Sequence, residues 1–349
     1  MKLHRIFFFT FVLAFAALLG SSRALGLPSI PGVPGVPGVN TQQIAINAAS
    51  KQLAPWVRAN QPIVLDWSAV FPNSPTLPGA LFNPTGDTAA FRTSLEGQLA
   101  HSSTGVVNLQ PGDYSVQFRV YCTDIHRHAG HQSLWVMGPL KGARANLLAA
   151  MYARASGRNL PFGSIQTLSW AMQAGLRYDQ LNPAQRALFD QLIPDFHAQA
   201  AGNFLEQTQD QWNTISSAVP GLPSMDSAIG SMGDLGQTIL QVRDAQGEIL
   251  SNANSFDALS RALAPPGGSG SDAGGYPPPW SQVATTVYER VVTLGTFGTT
   301  GELDIRVVGP GQQAVPITNV ISYPPNHKDW QPLTQESPQF AWGPINIGQ

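Results

Sequence analysis

One cysteine, Cys122, stands in 349 residues. A single chain with one thiol has no internal disulfide, so its domains must stand on packing alone and be of ordinary size. Charge is scarce as well: Asp, Glu, Lys and Arg make up 11% of the chain, against about a quarter in ordinary soluble domains. The 19 Lys+Arg are outnumbered by 21 Asp+Glu. That balance argues against a nucleic-acid partner, since phosphate contacts need clustered Lys and Arg. Beyond residue 24 no apolar run reaches the length of about 20 residues that a membrane span needs. Catalytic signatures are also missing. There is no G-x-S-x-G elbow, no phosphate-cradling loop and no dinucleotide fingerprint, and the carboxylates are scattered rather than paired. The glycine-serine run at 267–271 falls in a linker, which has nothing to hold an oxyanion hole.

The start of the chain is distinctive. Lys2 and Arg5 precede an uncharged apolar run from Ile6 to Leu19, followed by Gly20, Ser21, Ser22 and Ala24. A charged stretch, an apolar stretch and small residues at the minus-three and minus-one positions make a cleavable secretory signal over residues 1–24. An uncleaved anchor is the competing reading, but the run is short of the roughly 20 residues it requires. Cleavage after Ala24 removes Lys2, Arg5 and Arg23, so 19 Lys+Arg become 16 against 21 Asp+Glu, a net charge of −5. Export to the periplasm, the cell surface or the medium follows. Residues 25–40 contain LPSIPGVPGVPGV, a Pro/Gly/Val linker that holds neither a helix nor a strand ladder.

Residues 41–140 read as a β-rich, sandwich-like portion. Within it, 41–57 carries Ile44, Ala48, Leu53 and Trp56 near helical spacing, 62–71 reads as a strand, 77–84 as a loop and 88–100 as a short helix. The clearest strand signal runs through 106–124. A Pro-Gly-Asp turn at 111–113 leads into alternating Tyr114, Val116, Phe118 and Val120.

Residues 141–263 read as a helical domain. Helices are expected over 143–156, over 164–175 with Gly175 as C-cap, and from 182 to 192 with Asn182 as N-cap and Pro183 in the first turn. From 225 to 263, apolar residues at Met225, Ile229, Met232, Leu235, Ile239, Val242, Ile249, Phe256, Leu259 and Leu263 step by three, four and seven. As one helix this segment would be about 58 Å long at 1.5 Å per residue. Its four glycines demand a partner surface, either the helices beside it or a second copy of the chain. Residues 264–279, APPGGSGSDAGGYPPP, form a Gly/Pro/Ser linker. Residues 280–349 read as a small C-terminal β domain, with strands at 285–294, 302–308 and 317–322. The apolar end at 339–344 is expected to tuck onto that domain.

The densest set of ligand-type side chains lies between Cys122 and His131. His126, His128 and His131 are three of the chain's seven histidines. If the strand from Tyr114 continued, Cys122, Asp124, His126 and His128 would share one side, and His131 would fold back over Ala129 and Gly130. Imidazole and thiolate suit zinc or copper, although the spacing matches no standard zinc module. A polar, His-rich strand end is the plainer reading. Cys122 with His126 as nucleophile and base is disfavoured, because alternate strand positions lie about 7 Å apart.

Tyr121-Cys122, Pro139-Leu140-Lys141-Gly142, Ser164-Ile165-Gln166, Trp170-Ala171 and Ala174-Gly175 resemble a group of exported bacterial proteins. That group shares a Tyr-Cys strand end, an A-P-L-K-G turn and an I-Q-x-L-x-W-A-I-x-A-G helix. The turn here reads GPLKG. The stretch from Ser255 to Gly267 is similar to a segment that follows a long helix in the group, with Phe256 in place of a tyrosine. The similarity spans residues 106–267. It implies a bacterial, exported setting and transfers no catalytic residue.

The sequence therefore predicts an α+β protein with a β-rich, sandwich-like N-terminal portion, a central helical unit with a long helix, and a small C-terminal β domain. Three functions fit. The first is a non-catalytic envelope or extracellular protein that binds or scaffolds a protein or polysaccharide component. The second is zinc or copper binding through Cys122, His126, His128 and His131. The third is a secreted enzyme of unrecognised type.

Overall fold

A computed structural model describes residues 41–63, 71, 73–74, 88–123, 134–219, 221–263, 280–293, 300–317 and 320–323. The signal segment, both linkers, the loop at 77–84, most of the strand expected over 62–71 and the apolar end at 339–344 lie outside these residues. The chain divides into two compact units, residues 1–58 with 205–240 and residues 59–204 with 241–349.

The described residues of the first unit are mostly helical. Helix α1 (Thr41–Asn60) buries Ile46, Ala49, Leu53 and Val57, steps of three and four that keep one face inward. The buried stripe is thus rotated from the one the sequence predicts, and Ile44 is 57% exposed. Gln43 Nε2 on α1 donates to Ser231 O at 3.2 Å.

The second unit carries the sheets. Its described strands are β1 (Asn73–Ser74), β2 (Val106–Leu109), β3 (Gly112–Arg119), β4 (Leu134–Met137), β5 (Trp280–Ala284), β6 (Val287–Thr293), β7 (Thr300–Val307), β8 (Gln313–Pro316) and β9 (Val320–Tyr323). Helix α2 (Thr88–His101) lies between β1 and β2 in sequence. An antiparallel sheet runs β1-β5-β6-β7-β3, while β2 pairs with β8 and β4 with β9. Among the described residues, every strand before 140 pairs with a strand that starts at 280 or later. The molecule is mixed α+β, as the composition of its segments predicts. A sandwich-like N-terminal portion and a separate C-terminal β domain are not what the pairing makes. The two strand sets complete one another. Alternation along a strand says which face is buried, not which strand lies alongside.

One face of the large sheet is apolar. Phe118, Val287, Leu303, Ile305 and Val307 are buried in the core, and Tyr114 lies on the same side. Glu289 of β6 is fully buried on that face, opposite Ser281 and Ile305. The other face carries ion pairs across strands. Arg306 of β7 holds Asp113 of β3 through two bonds of 2.7 and 2.8 Å, and Arg290 holds Asp304 at 2.7 Å. The Trp280 ring lies under both guanidinium groups, 4.6 Å from Arg290 and 5.6 Å from Arg306.

Helices α3 (Ala145–Ala155), α4 (Phe162–Gln173) and α5 (Pro183–Leu192) share one buried core with that face. All three occur where the sequence predicts them. Gly175 ends α4 with φ 74°, and Leu176 N donates to Ala171 O at 3.1 Å, the left-handed helix stop that glycine favours. Arg144, before α3, is 4% exposed and meets carbonyls rather than a carboxylate. It donates to Leu176 O at 2.7 Å, Met172 O at 3.2 Å and Gly202 O at 2.8 Å. Burial lowers its pKa to about 10, and the C-terminal carbonyls of α4 offset that cost.

Helix α6 (Phe204–Ala218) belongs to the first unit from Leu205 onward and buries Trp212, whose Nε1 donates to Pro223 O at 3.1 Å. The single long helix expected over 225–263 is three helices: α7 (Met225–Ala228), α8 (Asp234–Ser251) and α9 (Phe256–Leu263). A 3-10 turn over Ile229–Ser231 and Gly233 at φ 61° separate the first two, because a left-handed residue cannot continue a right-handed helix. The second break is polar. Asn252 Nδ2 turns back onto Glu248 O at 3.2 Å, and Ser255 Oγ accepts from Ala258 N at 3.2 Å to start α9. Heptad-spaced apolar residues continue through both breaks, so spacing alone does not reveal them. Their side chains serve the chain's own interior: Met225, Ile229, Met232 and Ile239 are buried in the first unit, and Ile249, Leu259 and Leu263 in the core of the second.

Candidate functional site

Helices α4, α5 and α9 come together in the second unit around an open cleft of about 320 Å³. That volume is at the lower end of the roughly 300–1,000 Å³ usual for small-molecule sites. The entry to α4 explains one wall. Pro161 precedes the helix in extended conformation, φ −60° and ψ 131°, and supplies no side-chain cap. No acidic side chain occupies the first turn, so Gly163, Ser164 and Thr167 present that end of the helix to the cleft.

The second wall is the start of α5. Asn182 is its N-cap, with Pro183 in the first turn. Asn182 Oδ1 accepts from Gln185 N at 2.8 Å, and Gln185 Oε1 accepts from Asn182 N at 3.1 Å. This reciprocal box satisfies two backbone donors that a helix start leaves open. Asn182 Nδ2 also donates to Ala253 O at 2.7 Å and to Asn254 Oδ1 at 3.4 Å, tying the turn before α9 to the same wall.

The apolar lining is Pro161, Ala184, Leu188, Ala253 and Phe256. Phe256 ends a row of rings that begins in the core. Tyr121 stacks on Phe162 at 5.2 Å, Phe162 meets Phe256 edge-on at 5.6 Å, and Phe256 stacks on Trp170 at 5.9 Å. A ring held by two aromatic neighbours presents a fixed surface rather than a mobile one.

The polar lining is Ser164, Thr167, Asn182, Gln185 and Asn254. No residue that lines the cleft, among those described, carries an ionisable side chain. Most of these groups already have internal partners. Thr167 Oγ1 donates to Ser164 O at 3.1 Å. Gln185 is the exception: it is 4% exposed, and its Nε2 has no hydrogen-bond partner. The orientation of its amide is set by the cap, because the atom that faces Asn182 N must be the oxygen. An amide N–H₂ left this way costs about 1–3 kcal/mol.

Of the residues expected to bind metal, Cys122 alone is among those described. Cys122 is buried, 1% exposed, beyond the end of β3. Regular strand stops at Arg119, so the alternation that would set Cys122 beside later histidines is not present at Cys122. His126, His128 and His131 lie outside the described residues. Among the described residues no group of three or more His, Cys, Asp or Glu is placed to hold a metal ion.

What surrounds Cys122 is a polar strip inside the core. Gln166 Oε1 accepts from Cys122 N at 2.8 Å, and Gln166 Nε2 donates to Cys122 O at 2.8 Å. The side chain completes the strand end as a neighbouring strand would. Gln173 Nε2 donates to Cys122 O at 3.1 Å and to Ser169 Oγ at 2.9 Å, and Ser169 Oγ shares a short hydrogen bond with Tyr152 OH. Burial pushes the Tyr121 phenol up to about 12 and that of Tyr152 higher still. These phenols stay protonated and act as packed, hydrogen-bonded rings, 4.8 Å apart and stacked.

Gln173, Gln185 and Asn254 are site or network residues that sequence reasoning does not single out, and Gln166 enters there only as part of the motif that carries the resemblance. One signal for Gln185 is present: Asn182 followed three residues later by Gln is the pattern of a capping box. No family model, curated protein or solved structure matches this chain.

Proposed function

We propose that this chain is an exported, non-catalytic binding protein that seats a ligand from the envelope or the extracellular surroundings in the cleft of α4, α5 and α9. The observation that carries the reading is the cleft's lining: aromatic and aliphatic surface on one side, carboxamides and hydroxyls on the other. Such a lining orients a ligand. Among the described residues, Ser164 and Thr167 have no neighbouring base in the lining that would make either a nucleophile, which favours binding over hydrolysis. Export rests on residues 1–24 and on the resemblance to exported bacterial proteins. The destination is the periplasm, the cell surface or the medium, and the partner is a protein or polysaccharide component met there.

Two measurements test this. Mass spectrometry of the protein from its host should find a chain that begins at Leu25; an intact Met1 on a cytosolic species overturns export. The mature protein should co-sediment with isolated envelope, and Ala184→Trp should release it. Ala184 is exposed and lines the cleft, so the indole occupies the site without entering the core. Equal retention of both proteins overturns the assignment of the cleft.

A further inference from the structure

Away from the cleft, we infer that β5 is a proton-controlled strand of the second unit's large sheet, docked while Glu289 of β6 is neutral and released when Glu289 ionises. Glu289 is 0% exposed, and neither of its carboxyl oxygens has a hydrogen-bond partner. Its register neighbours are Ser281 of β5 and Ile305 of β7, both fully buried. Among the described residues, the strands packed against β6 are β4, β5 and β7, and they bring the carboxyl no charge. β4 and β5 contain no titratable residue. On β7, Glu302, Asp304 and Arg306 alternate with Leu303, Ile305 and Val307, which places them at register positions of the opposite face. Arg290 of β6 is engaged on that opposite face with Asp304. Beyond Ile305 in the same row lies Tyr114 of β3, whose phenol donates to Gln110 O at 2.7 Å. A carboxylate in this place has nothing to offset its loss of water, and the neutral acid costs far less. Burial accordingly holds the carboxyl well above its usual value of 4.5.

The ladders decide where the sheet opens to let water reach that group. On the β7 side, seven consecutive register pairs join β6 to β7, and eight join β7 to β3. The β5 side is weaker. Ser281 and Gln282 pair with Glu289 and Tyr288, and the register then shifts between Gln282 and Ala284. Such an irregularity leaves a residue unpaired and interrupts the ladder bonds. On its outer side β5 is held, among the described residues, by two pairs with β1, Asn73 with Ser281 and Ser74 with Trp280. β5 therefore has the shortest and least regular ladders that border Glu289, and its departure takes Ser281 off the carboxyl's flank. What fastens it is Trp280, whose ring lies beneath Arg290 and Arg306. The direction follows from linkage. A carboxyl that holds its proton more tightly in the closed sheet than in water gives it up on opening, so acid favours docking and rising pH favours release.

The test is amide hydrogen exchange of the mature, ¹⁵N-labelled protein between pH 5 and pH 9, read as protection factors so that the intrinsic pH dependence of exchange is removed. The amides along Ser281–Ala284 should be less protected than those of the β3–β7 ladder at every pH, because releasing one strand is a smaller opening than unfolding the sheet. Their protection should fall about tenfold for each pH unit, one proton lost per opening, until at high pH β5 exchanges freely while the β3–β7 ladder stays protected. Glu289→Gln keeps the shape of the neutral acid and cannot ionise, so its β5 amides should show no such fall. Glu289→Met, neutral, of similar length and without need of a partner, gives the same reading if the glutamine variant does not fold. Protection at β5 that does not change with pH overturns the inference. Equal protection of the two ladders at every pH does so too, since the sheet then opens as a whole. The same fall in a variant without the carboxyl also overturns it, because the proton then belongs to another group.

Discussion

Two glutamines on adjacent helices of the same unit, both nearly sealed from water, are held in opposite ways. Gln166 on α4 has its oxygen on Cys122 N and its nitrogen on Cys122 O. Gln185 on α5 has only its oxygen engaged, on Asn182 N. Around Gln166 the groups interlock, through Gln173, Ser169 and Tyr152. Gln185 stands in the wall of a cleft, with its nitrogen sealed from water and unmatched. A buried carboxamide clamps a strand end through both of its halves in one place and caps a helix through its oxygen alone in the other.

Gln166→Leu tests the architectural side most severely. It leaves the buried N–H and C=O of Cys122 without that partner, and urea denaturation should show a loss of about 2–4 kcal/mol. A loss below about 0.5 kcal/mol, the range of ordinary surface changes, would end the distinction. Glu289→Gln probes a buried polar group that lacks a partner and does not line the cleft. Burial alone holds the Glu289 carboxyl well above its usual value of 4.5. Below that value both folded and unfolded chains are protonated. Above it the unfolded chain ionises first, so stability falls as pH rises until the folded carboxyl ionises too. The variant should lack this slope and gain about 1–3 kcal/mol at neutral pH, measured by denaturation at pH 4 and pH 7.5; parallel curves for the two proteins would refute the assignment.

Smaller effects sharpen the comparison. Cys122→Ala keeps the backbone that Gln166 holds and removes only a small sulfur, so it should cost about 1 kcal/mol, less than Gln166→Leu. The reverse order would mean that the thiol, not the backbone clamp, is the important part. Ala184→Trp should shift the unfolding free energy by no more than about 0.5 kcal/mol while it removes binding. A large loss of stability would mean that the cleft wall belongs to the core.

Much of this was legible from local pattern. Asn182-Pro183 marks the start of α5 and Gly175 the end of α4, because caps are local chemistry. The period-two run from Tyr114 to Phe118 marks β3. Partners across long separations were not legible: nothing in Gly112–Arg119 names Thr300–Val307 as the strand beside it. The continuous helix over 225–263 failed for a related reason. Apolar spacing survives the turns at Gly233 and at 252–255, since the helices that follow each turn also have an inward face. The candidate site was half visible. The cap that orients Gln185 is a sequence pattern, but the cleft exists only because α4, α5 and α9, far apart in sequence, are brought together.

The pairing of early strands with late ones sets the order in which this protein can be completed. Asp113 and Arg306, which join β3 to β7, are 193 positions apart. At about 5–20 residues per second a ribosome needs about 10–40 s to make that interval. Until then the edge of β3 is an open template of the kind that recruits other chains. A nascent chain that halts before residue 280 carries β1 to β4 and none of the strands they pair with, so premature termination yields no smaller version of the second unit's sheets.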